Sequence, residues 1–380
     1  MKIKAIMCAA IAALAFASCS QDDDVTASVQ PLDSKVITFN PSVQNAAGTR
    51  STPVTPENYK TTMNDFAVFA VSSVDANVSN GVPGFHGDGE MFMGKLIDDK
   101  MSDPVTIRYE HGGWEYANPA EKAFWPKDKD VTFYAFSPAD TKIAPIISEG
   151  AGRNAFIFNV TVPTDVNKQK DIMFATTTIK NGQRVQLEFK HLLAQVSFKA
   201  QTSNNEIEVE VSEVKMANLK LQGVSSYMWK GAQPTLTIAA LQDVEIGDVA
   251  LGLKTPVRFD KSSGIISVTD NDGVAMVIPQ MNYSSWAPGT PISGTRDYYL
   301  AIQCKIKYKG KYVVGSDSEY GTIYQPFAPN WESGKKYVYT LDFNGAGYDE
   351  NGEVILKPIS YGVSVTDWDA SPGETAVNVN

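Results

Sequence analysis

The chain has 380 residues, which is long for a single hydrophobic core and favours two domains. A hydrophobic content of 43% with 16 Tyr, 17 Phe and 6 Trp is typical of a globular chain and excludes an intrinsically disordered one. The formal net charge of −10 has the same sign as a phosphate backbone, so nucleic acid is excluded as an expected partner.

The N-terminal segment has the order of a secretory leader. Two lysines precede an apolar run from Ala5 to Phe16, and small residues then lead to Cys19. An apolar run of about a dozen residues is too short to span a bilayer, so residues 1–18 are predicted to be a cleaved signal peptide. The cleavage region resembles a lipobox, with Phe16 in place of the usual leucine, in which Cys19 becomes the acylated N-terminus. The alternative is that Cys19 lies near an ordinary cleavage site and remains a free thiol.

Residues 19–50 are predicted to be a polar tether that carries one short strand. The strand is Lys35–Asn40, where polar and apolar residues alternate, and a lone strand must find a partner sheet. The acidic run at the start of the tether is either a solvated charge run or, by resemblance to surface lipoproteins of Bacteroidota, part of an outer-leaflet export signal. The residues of that signal are Ser20, Gln21, Asp22, Asp23 and Asp24.

Short strand-like runs recur from Asp65 onward. Phe66–Val71 is apolar on both faces and predicts a strand buried on both sides. Two later runs alternate and predict strands with one buried face, and clusters of Gly, Asn, Pro and Asp between the runs predict turns. The predicted buried faces are Val131, Phe133 and Ala135 in one run, and Phe156, Phe158, Val160 and Val162 in the other.

Two longer segments change their buried face along their length. Apolar residues are odd-numbered in Val185–Phe189 but even-numbered in Leu192–Phe198, which predicts a bulge or kink at Lys190–His191. The segment Ile207–Leu221 changes face twice in the same way. Repeated changes of this kind suit strands that cross between the two sheets of a sandwich.

The C-terminal half contains the clearest strand, Tyr298–Tyr308, with one apolar and one polar face. Lys309–Gly310 then predicts a hairpin turn into Lys311–Val314. The chain has no long amphipathic helix and contains 28 Gly and 20 Pro, so the predicted class is all-β with two tandem β-sandwich domains. Polar breaks at 180–183 and 201–205 compete for the boundary, and the first divides the chain into domains 51–182 and 183–380.

The sequence contains no pattern that predicts an enzyme, a metal site or a cofactor. The three histidines lack zinc-pair spacing, and neither a nucleophile elbow nor a phosphate-binding loop is present. After processing, Cys304 is the remaining thiol, so an internal disulfide is not expected. Asp270–Gly273 has oxygen ligands for calcium, but Met281 stands where an EF-hand needs glutamate, and a hairpin turn explains the same residues. Paired carboxylates for a hydrolase remain open, because their geometry is tertiary.

Two further residue types have competing explanations. His191 lies at the predicted bend and is either a hydrogen-bonded structural imidazole or a catalytic group. Aromatic residues spread through the body either pack in the cores or stack on sugars. Those aromatic residues are Trp114, Tyr116, Trp125, Trp229, Trp286 and Trp331.

Together these segments resemble the fimbrillin family, the subunits of type V pili in Bacteroidota. The resemblance covers nearly the whole chain, and it depends on the order of loose packing motifs rather than on catalytic residues. The segments that carry it are the lipobox cysteine Cys19, Thr49–Arg50, Asp171–Ala175, Phe189–Phe198 and Val365–Trp368.

The resemblance implies two transthyretin-like, Greek-key sandwiches and assembly without enzymatic activity. It implies that an Arg-specific protease cuts between Arg50 and Ser51, which releases a first strand containing Ile37 and Phe39. The vacated sheet edge would accept a strand from a neighbouring subunit, because an unpaired ladder readily pairs with another chain. The alternative is that Arg50 is an ordinary exposed residue of a flexible linker.

The tail beyond Trp368 alternates in the way a donor strand requires. Its proposed contacts are Ala376, Val377 and Val379. The resemblance implies as partners other pilus subunits, the protease, the outer membrane through the lipid anchor, and host or microbial glycans or proteins. It implies a surface-exposed outer-membrane lipoprotein that enters the fimbrium after processing. A surface lipoprotein that binds glycans without polymerising is the alternative.

Overall fold

The computed structural model describes most of the chain from Val36 to Val379. The described residues are 36–43, 58–73, 90–97, 100–127, 129–141, 143, 146–148, 155–179, 182–230, 233–240, 244–270, 273–281, 283–368 and 377–379.

The first half of the chain contributes twelve described strands and a single short helix, α1 (Tyr59–Thr62). The strands are β1 (Phe39–Val43), β2 (Asp65–Ser73), β3 (Glu90–Met93), β4 (Lys95–Ile97), β5 (Lys100–Ser102), β6 (Val105–Glu110), β7 (Gly113–Tyr116), β8 (Asp130–Ser137), β9 (Ile146–Ser148), β10 (Ala155–Thr161), β11 (Met173–Ile179) and β12 (Val185–His191).

The second half contributes thirteen described strands. These are β13 (Ala194–Gln201), β14 (Ile207–Lys220), β15 (Gln222–Lys230), β16 (Gln233–Ala240), β17 (Ile246–Phe259), β18 (Ile266–Ser267), β19 (Ala275–Val277), β20 (Tyr299–Tyr308), β21 (Lys311–Val314), β22 (Gly321–Pro326), β23 (Lys335–Asp342), β24 (Ser360–Asp367) and β25 (Val377–Val379). Short 3₁₀ turns occur at Pro119–Glu121, Val166–Lys168 and Lys261–Ser263.

These strands form four sheets, which confirms the all-β class. Sheet 1 has the order β1-β12-β11-β8-β2-β6-β7, with β3 also paired to β2, and sheet 2 has the order β16-β15-β10-β9-β5-β4. Sheet 3 has the order β18-β13-β23-β24-β25, with β19 on β13, and sheet 4 has the order β17-β14-β20-β21, with β22 on β20. The described residues fall within one compact unit.

Sheet 1 is buried on both faces at its centre. Every residue of Phe66–Val71 is buried, as predicted from its apolar run. Phe66 and Phe133 face a core that also contains β1, whereas Phe136 faces sheet 2 and contacts Phe158 at a ring distance of 4.9 Å. Sheet 1 therefore separates two apolar layers, and this accounts for the unbroken hydrophobic run on β2.

Sheets 3 and 4 enclose the largest core. The alternation predicted for Tyr298–Tyr308 is confirmed on β20, where Leu300 and Cys304 are fully buried. The turn at Lys309–Gly310 has positive φ at both residues, 52° and 73°, which is the geometry that a two-residue hairpin favours. Burial raises the pKa of the Cys304 thiol, so this cysteine is a protonated core residue.

The domain boundary at 182 stays a prediction, and the chain passes from sheet 1 to sheet 3 ten residues beyond it. β12 lies between β1 and β11 in sheet 1, and the crossing into sheet 3 occurs at Leu192–Leu193. The hairpin of β15 and β16 then returns to pair with β10 in sheet 2. Polar breaks mark turns, but strand pairing over long sequence separation decides which sheet a strand joins.

The predicted changes of face have two different physical causes. The predicted position of the first irregularity, Lys190–His191, is wrong, because β12 continues through His191. The buried face of the segment changes after His191, where the chain leaves sheet 1. β14 does not cross between sheets. It stays in sheet 4, and its register shifts at Val211/Glu213 and at Met216/Leu219 reset the alternation. Asn218 sits in the second irregularity at φ 61°, and its side-chain amide donates to the Asp297 carbonyl at 2.8 Å.

Candidate assembly site

The N-terminal strand β1 lies where the two ends of sheet 1 approach each other. It is paired in parallel with β12, from Phe39 opposite Val185 to Val43 opposite Phe189. On its other side, Val36 bridges Phe124. The predicted strand of 35–40 is therefore displaced toward the C-terminus, because β1 begins at Phe39 and extends to Val43.

Backbone hydrogen bonds attach this segment on both sides. The Thr38 carbonyl accepts from Val185 N at 2.8 Å, whereas Ile37 N donates to the Ala123 carbonyl at 2.9 Å. Backbone hydrogen bonds alternate in direction along a strand. The N–H and C=O groups of even-numbered residues therefore point toward β12, and those of odd-numbered residues point toward the opposite edge. Pro41 belongs to the odd set, so its missing N–H removes no bond to β12.

The buried side chains of the segment fill the core of sheet 1. Ile37 is 0% exposed, and Phe39 and Val43 are each 5% exposed. The ring of Phe39 contacts three aromatic rings at right or steep angles. Its centroid distances are 5.7 Å to Phe66, 6.1 Å to Tyr116 and 5.8 Å to Phe133. Edge-to-face pairs at these distances add to the energy of burial.

A tyrosine side chain also forms a hydrogen bond to the backbone at the start of this segment. The Tyr116 hydroxyl donates to the Ile37 carbonyl at 3.0 Å. Burial raises the pKa of Tyr116 to about 12, which keeps the phenol protonated and able to donate near neutral pH. On the exposed side, the Asn40 amide donates to Gln186 Oε1 at 2.7 Å. We call the cleft around Ile37, Phe39, Pro41 and Val43 the β1 groove.

The C-terminal strand β25 lies at the edge of sheet 3. It pairs antiparallel with β24, with Val377 opposite Val365 and Val379 opposite Val363. The tail strand is thus hydrogen-bonded within its own chain. Ala376 lies outside the described residues.

Three segments that were singled out separately in the sequence meet at the crossing between sheets 1 and 3. Asp171 Oδ2 lies 2.9 Å from His191 Nδ1, and both side chains are buried. The imidazole stacks on the indole of Trp368 at a centroid distance of 4.3 Å and an angle of 5°. Trp368 N donates to Gly334 O at 2.6 Å, and Gly334 N donates to Leu193 O at 2.9 Å. This arrangement gives His191 a structural role, since it joins the end of β12 to the end of β24.

Comparison with protein families decides where the chain belongs. A family model described as fimbrillin-like matches residues 49–368. The chain belongs to the fimbrillin-like family. The comparison with curated protein sequences finds no match.

Solved structures that match this chain come from several Bacteroidota. A candidate cell adhesion protein from Bacteroides ovatus is 13% identical over 89% of this chain and 99% of its own, with a TM-score of 0.42. A fimbrilin from Porphyromonas gingivalis is 11% identical over 88% of this chain and 97% of its own, with a TM-score of 0.40. A fimbrial assembly protein from Parabacteroides distasonis is 12% identical over 87% and 96%, with a TM-score of 0.35.

The processing sites predicted for this fimbrillin-like chain lie outside the described residues. They are Cys19 for lipidation, Ser20, Gln21, Asp22, Asp23 and Asp24 for export, and Arg50 and Ser51 for cleavage. Of the residues predicted to take part in strand exchange, Ile37 and Phe39 lie in the β1 groove, and Val377 and Val379 lie on β25. None of the described helices is long and apolar enough to cross a membrane.

The aromatic residues of the fimbrillin-like body pack in its cores. Trp286, Trp331 and Tyr116 are buried, and Trp114 and Trp125 are half-buried against the core that contains β1. The packing explanation is therefore confirmed for the three buried residues, whereas Trp114 and Trp125 pack against the core and keep part of their surface exposed. The side chain of Trp229 lies outside the description.

The acidic loop that resembles a calcium site makes turn contacts. Gly273 N donates to the Asp270 carbonyl, and both carboxylate oxygens of Asp270 accept from Lys254 N at 3.1 Å. Within the described ranges, histidine, cysteine and carboxylate side chains form no group that could hold a metal ion.

Proposed function

We propose that this chain is a structural and adhesive subunit of a cell-surface pilus, without enzymatic activity, and that it assembles by strand exchange. The observation that carries the proposal is the fimbrillin-like match over residues 49–368. The position of β1 supports it, because β1 precedes Arg50 and yet fills a core of the body that follows. Cleavage after Arg50 would therefore cut the only covalent link between this strand and the sheet it completes.

The groove supplies a physical route from cleavage to assembly. While the chain is intact, the covalent link keeps β1 at a high effective concentration near the groove. If β1 dissociates from β12, it therefore rebinds rapidly. After cleavage the released strand is diluted, and the ladder of β12 and the pocket of Phe39 are open to another strand. A donor of suitable pattern then restores both the hydrogen bonds and the apolar burial. In the polymer, the proposed donor strand is the C-terminal tail of a neighbouring subunit.

The N-terminal segment would provide transport before assembly. In this scheme Cys19 is acylated and anchors the precursor to the outer membrane. The acidic run from Ser20 to Asp24 directs it to the outer leaflet. An Arg-specific protease then separates the anchor from the body, so that the mature subunit begins at Ser51 in the fimbrium. The adhesion ligands would be host or microbial glycans or proteins.

The decisive experiment compares Arg50→Ala with Arg184→Ala in cells. Arg184 is an exposed arginine of the body, so its replacement makes the same change of charge outside the predicted cleavage site. The wild type and Arg184→Ala should yield a mature N-terminus at Ser51 by mass spectrometry and a ladder of polymers on unboiled gels. Arg50→Ala should keep an acylated Cys19 and give no ladder. Polymers of Arg50→Ala that retain the uncut N-terminus would refute the scheme.

A further inference from the structure

The β1 groove makes a specific demand on any strand that occupies it. Inward positions of its present occupant are two residues apart and hold Ile37, Phe39, Pro41 and Val43. The deepest demand comes from Phe39, whose ring is enclosed by Phe66, Tyr116 and Phe133. A pocket of aromatic walls fixed on three different strands cannot collapse freely around a smaller side chain, so an undersized occupant leaves a cavity.

The tail proposed as this chain's own donor does not meet that demand. Residues 369–380 contain no Phe, Tyr or Trp, and also no Leu, Ile or Met. In the register that buries its largest side chains, the tail presents Thr375, Val377 and Val379. A valine is then the largest group that can enter the Phe39 pocket, in either strand direction. Compared with phenylalanine, valine leaves the volume of most of an aromatic ring unfilled.

We infer that the β1 groove selects a donor strand with a large aromatic side chain at the Phe39 position, and therefore takes its donor from a different kind of subunit. This inference rests on the proposed strand exchange and names its partner. The donor is an extended segment with an aliphatic residue, an aromatic residue two positions on, and small or β-branched residues at the following inward positions. Its outward positions are polar, as Asn40 and Ser42 are in β1.

A second observation points the same way. β25 is already paired with β24 in its own chain, with Val377 opposite Val365. Donation to a second copy would first have to break these ladder bonds, and the poorly filled pocket would return little in exchange. The tail is thus suited to an acceptor with a shallower groove than this one. The subunit would stand between two unlike neighbours.

The test measures which peptides the groove captures after cleavage. The purified precursor is cut after Arg50 with an Arg-specific protease in the presence of fluorescent peptides, and capture is followed by polarisation. The peptides are Val36–Val43, the tail 369–380, and three tail variants. Val377→Phe and Val379→Phe put an aromatic ring on the inward face, and Asn378→Phe is the matched control that puts it on the outward face.

We expect the Val36–Val43 peptide to be captured, and the better of the two inward variants to bind roughly 10- to 100-fold more tightly than the unmodified tail. Asn378→Phe should bind like the unmodified tail. If the unmodified tail binds as tightly as both inward variants, or if Asn378→Phe gains as much as they do, aromatic selection is refuted while strand exchange stands. If the Val36–Val43 peptide itself is not captured, the groove does not open, and the proposed strand exchange is refuted together with this inference.

Discussion

Replacing Phe39 by alanine tests whether β1 is a structural part of the precursor and is then lost. The side chain is 5% exposed and touches three aromatic rings, so the substitution removes both burial and edge-to-face contacts. Truncation of a buried phenylalanine costs about 3–5 kcal/mol in the free energy of unfolding. At roughly 2 °C per kcal/mol for a chain of this size, the precursor should melt about 6–10 °C below the wild type.

Asn40→Ala is the matched control, because it changes the adjacent residue on the exposed face. Its amide bonds to Gln186 at 2.7 Å, and the loss of one exposed hydrogen bond should lower the unfolding free energy by no more than about 1 kcal/mol. Differential scanning calorimetry of both precursors supplies the comparison. The same melts are repeated after cleavage at Arg50 and removal of the released segment.

The cleaved proteins should melt at the same temperature, since Phe39 has left with the N-terminal segment. Two outcomes would contradict this reasoning. Equal melting temperatures for the Phe39→Ala and Asn40→Ala precursors would mean that the Phe39 pocket contributes no stability. A difference between wild type and Phe39→Ala that persists after cleavage would mean that β1 stays in the groove.

Three outcomes concern the body outside the groove. The thiol of Cys304 is fully buried with a raised pKa, so a thiol reagent at pH 8 should modify it only in denaturant; rapid modification of the native mature body, seen by mass spectrometry, would contradict its placement. His191→Ala removes the imidazole from the buried Asp171 carboxylate and should cost about 3–5 kcal/mol in urea unfolding, while adding Asp171→Ala should recover part of the loss; purely additive losses would exclude coupling. Burial and the hydrogen bond to the Glu210 carboxylate raise the pKa of Tyr320 to about 12, so Glu210→Gln should move that pKa down toward 10 in an NMR titration, and an unchanged value would show that Glu210 contributes nothing.

The local pattern of the chain was sufficient to predict several of the individual strands. The run Phe66–Val71 is buried on both faces, and the alternation on β20 and its two-residue turn occur where the residues predicted them. These features depend on contacts between residues close in sequence and on the fixed alternation of side chains along a strand. For the same reason, the all-β class followed from short alternating runs and frequent turn residues.

The partners of those strands depended on the tertiary structure. The same change of face marks a crossing between sandwiches at Leu192–Leu193 and a bulge within one sheet at Val211/Glu213. A sequence cannot distinguish the two, because both need an irregular residue and differ only in what lies beyond it. The return of β15 and β16 to sheet 2 likewise reflects pairing with β10, which is remote in sequence.

The candidate site shows the same division. The sequence by itself predicted a short strand containing Ile37 and Phe39 and an alternating tail, and it left His191 as either a structural imidazole or a catalytic group. Only the tertiary structure decided that β1 completes sheet 1 beside β12, that His191 lies between Asp171 and Trp368, and that β25 pairs with β24. Alternation is a property of neighbouring residues, so it can be recognised in the sequence. The size of the Phe39 pocket depends instead on side chains that are remote in sequence and that only the folded chain brings together.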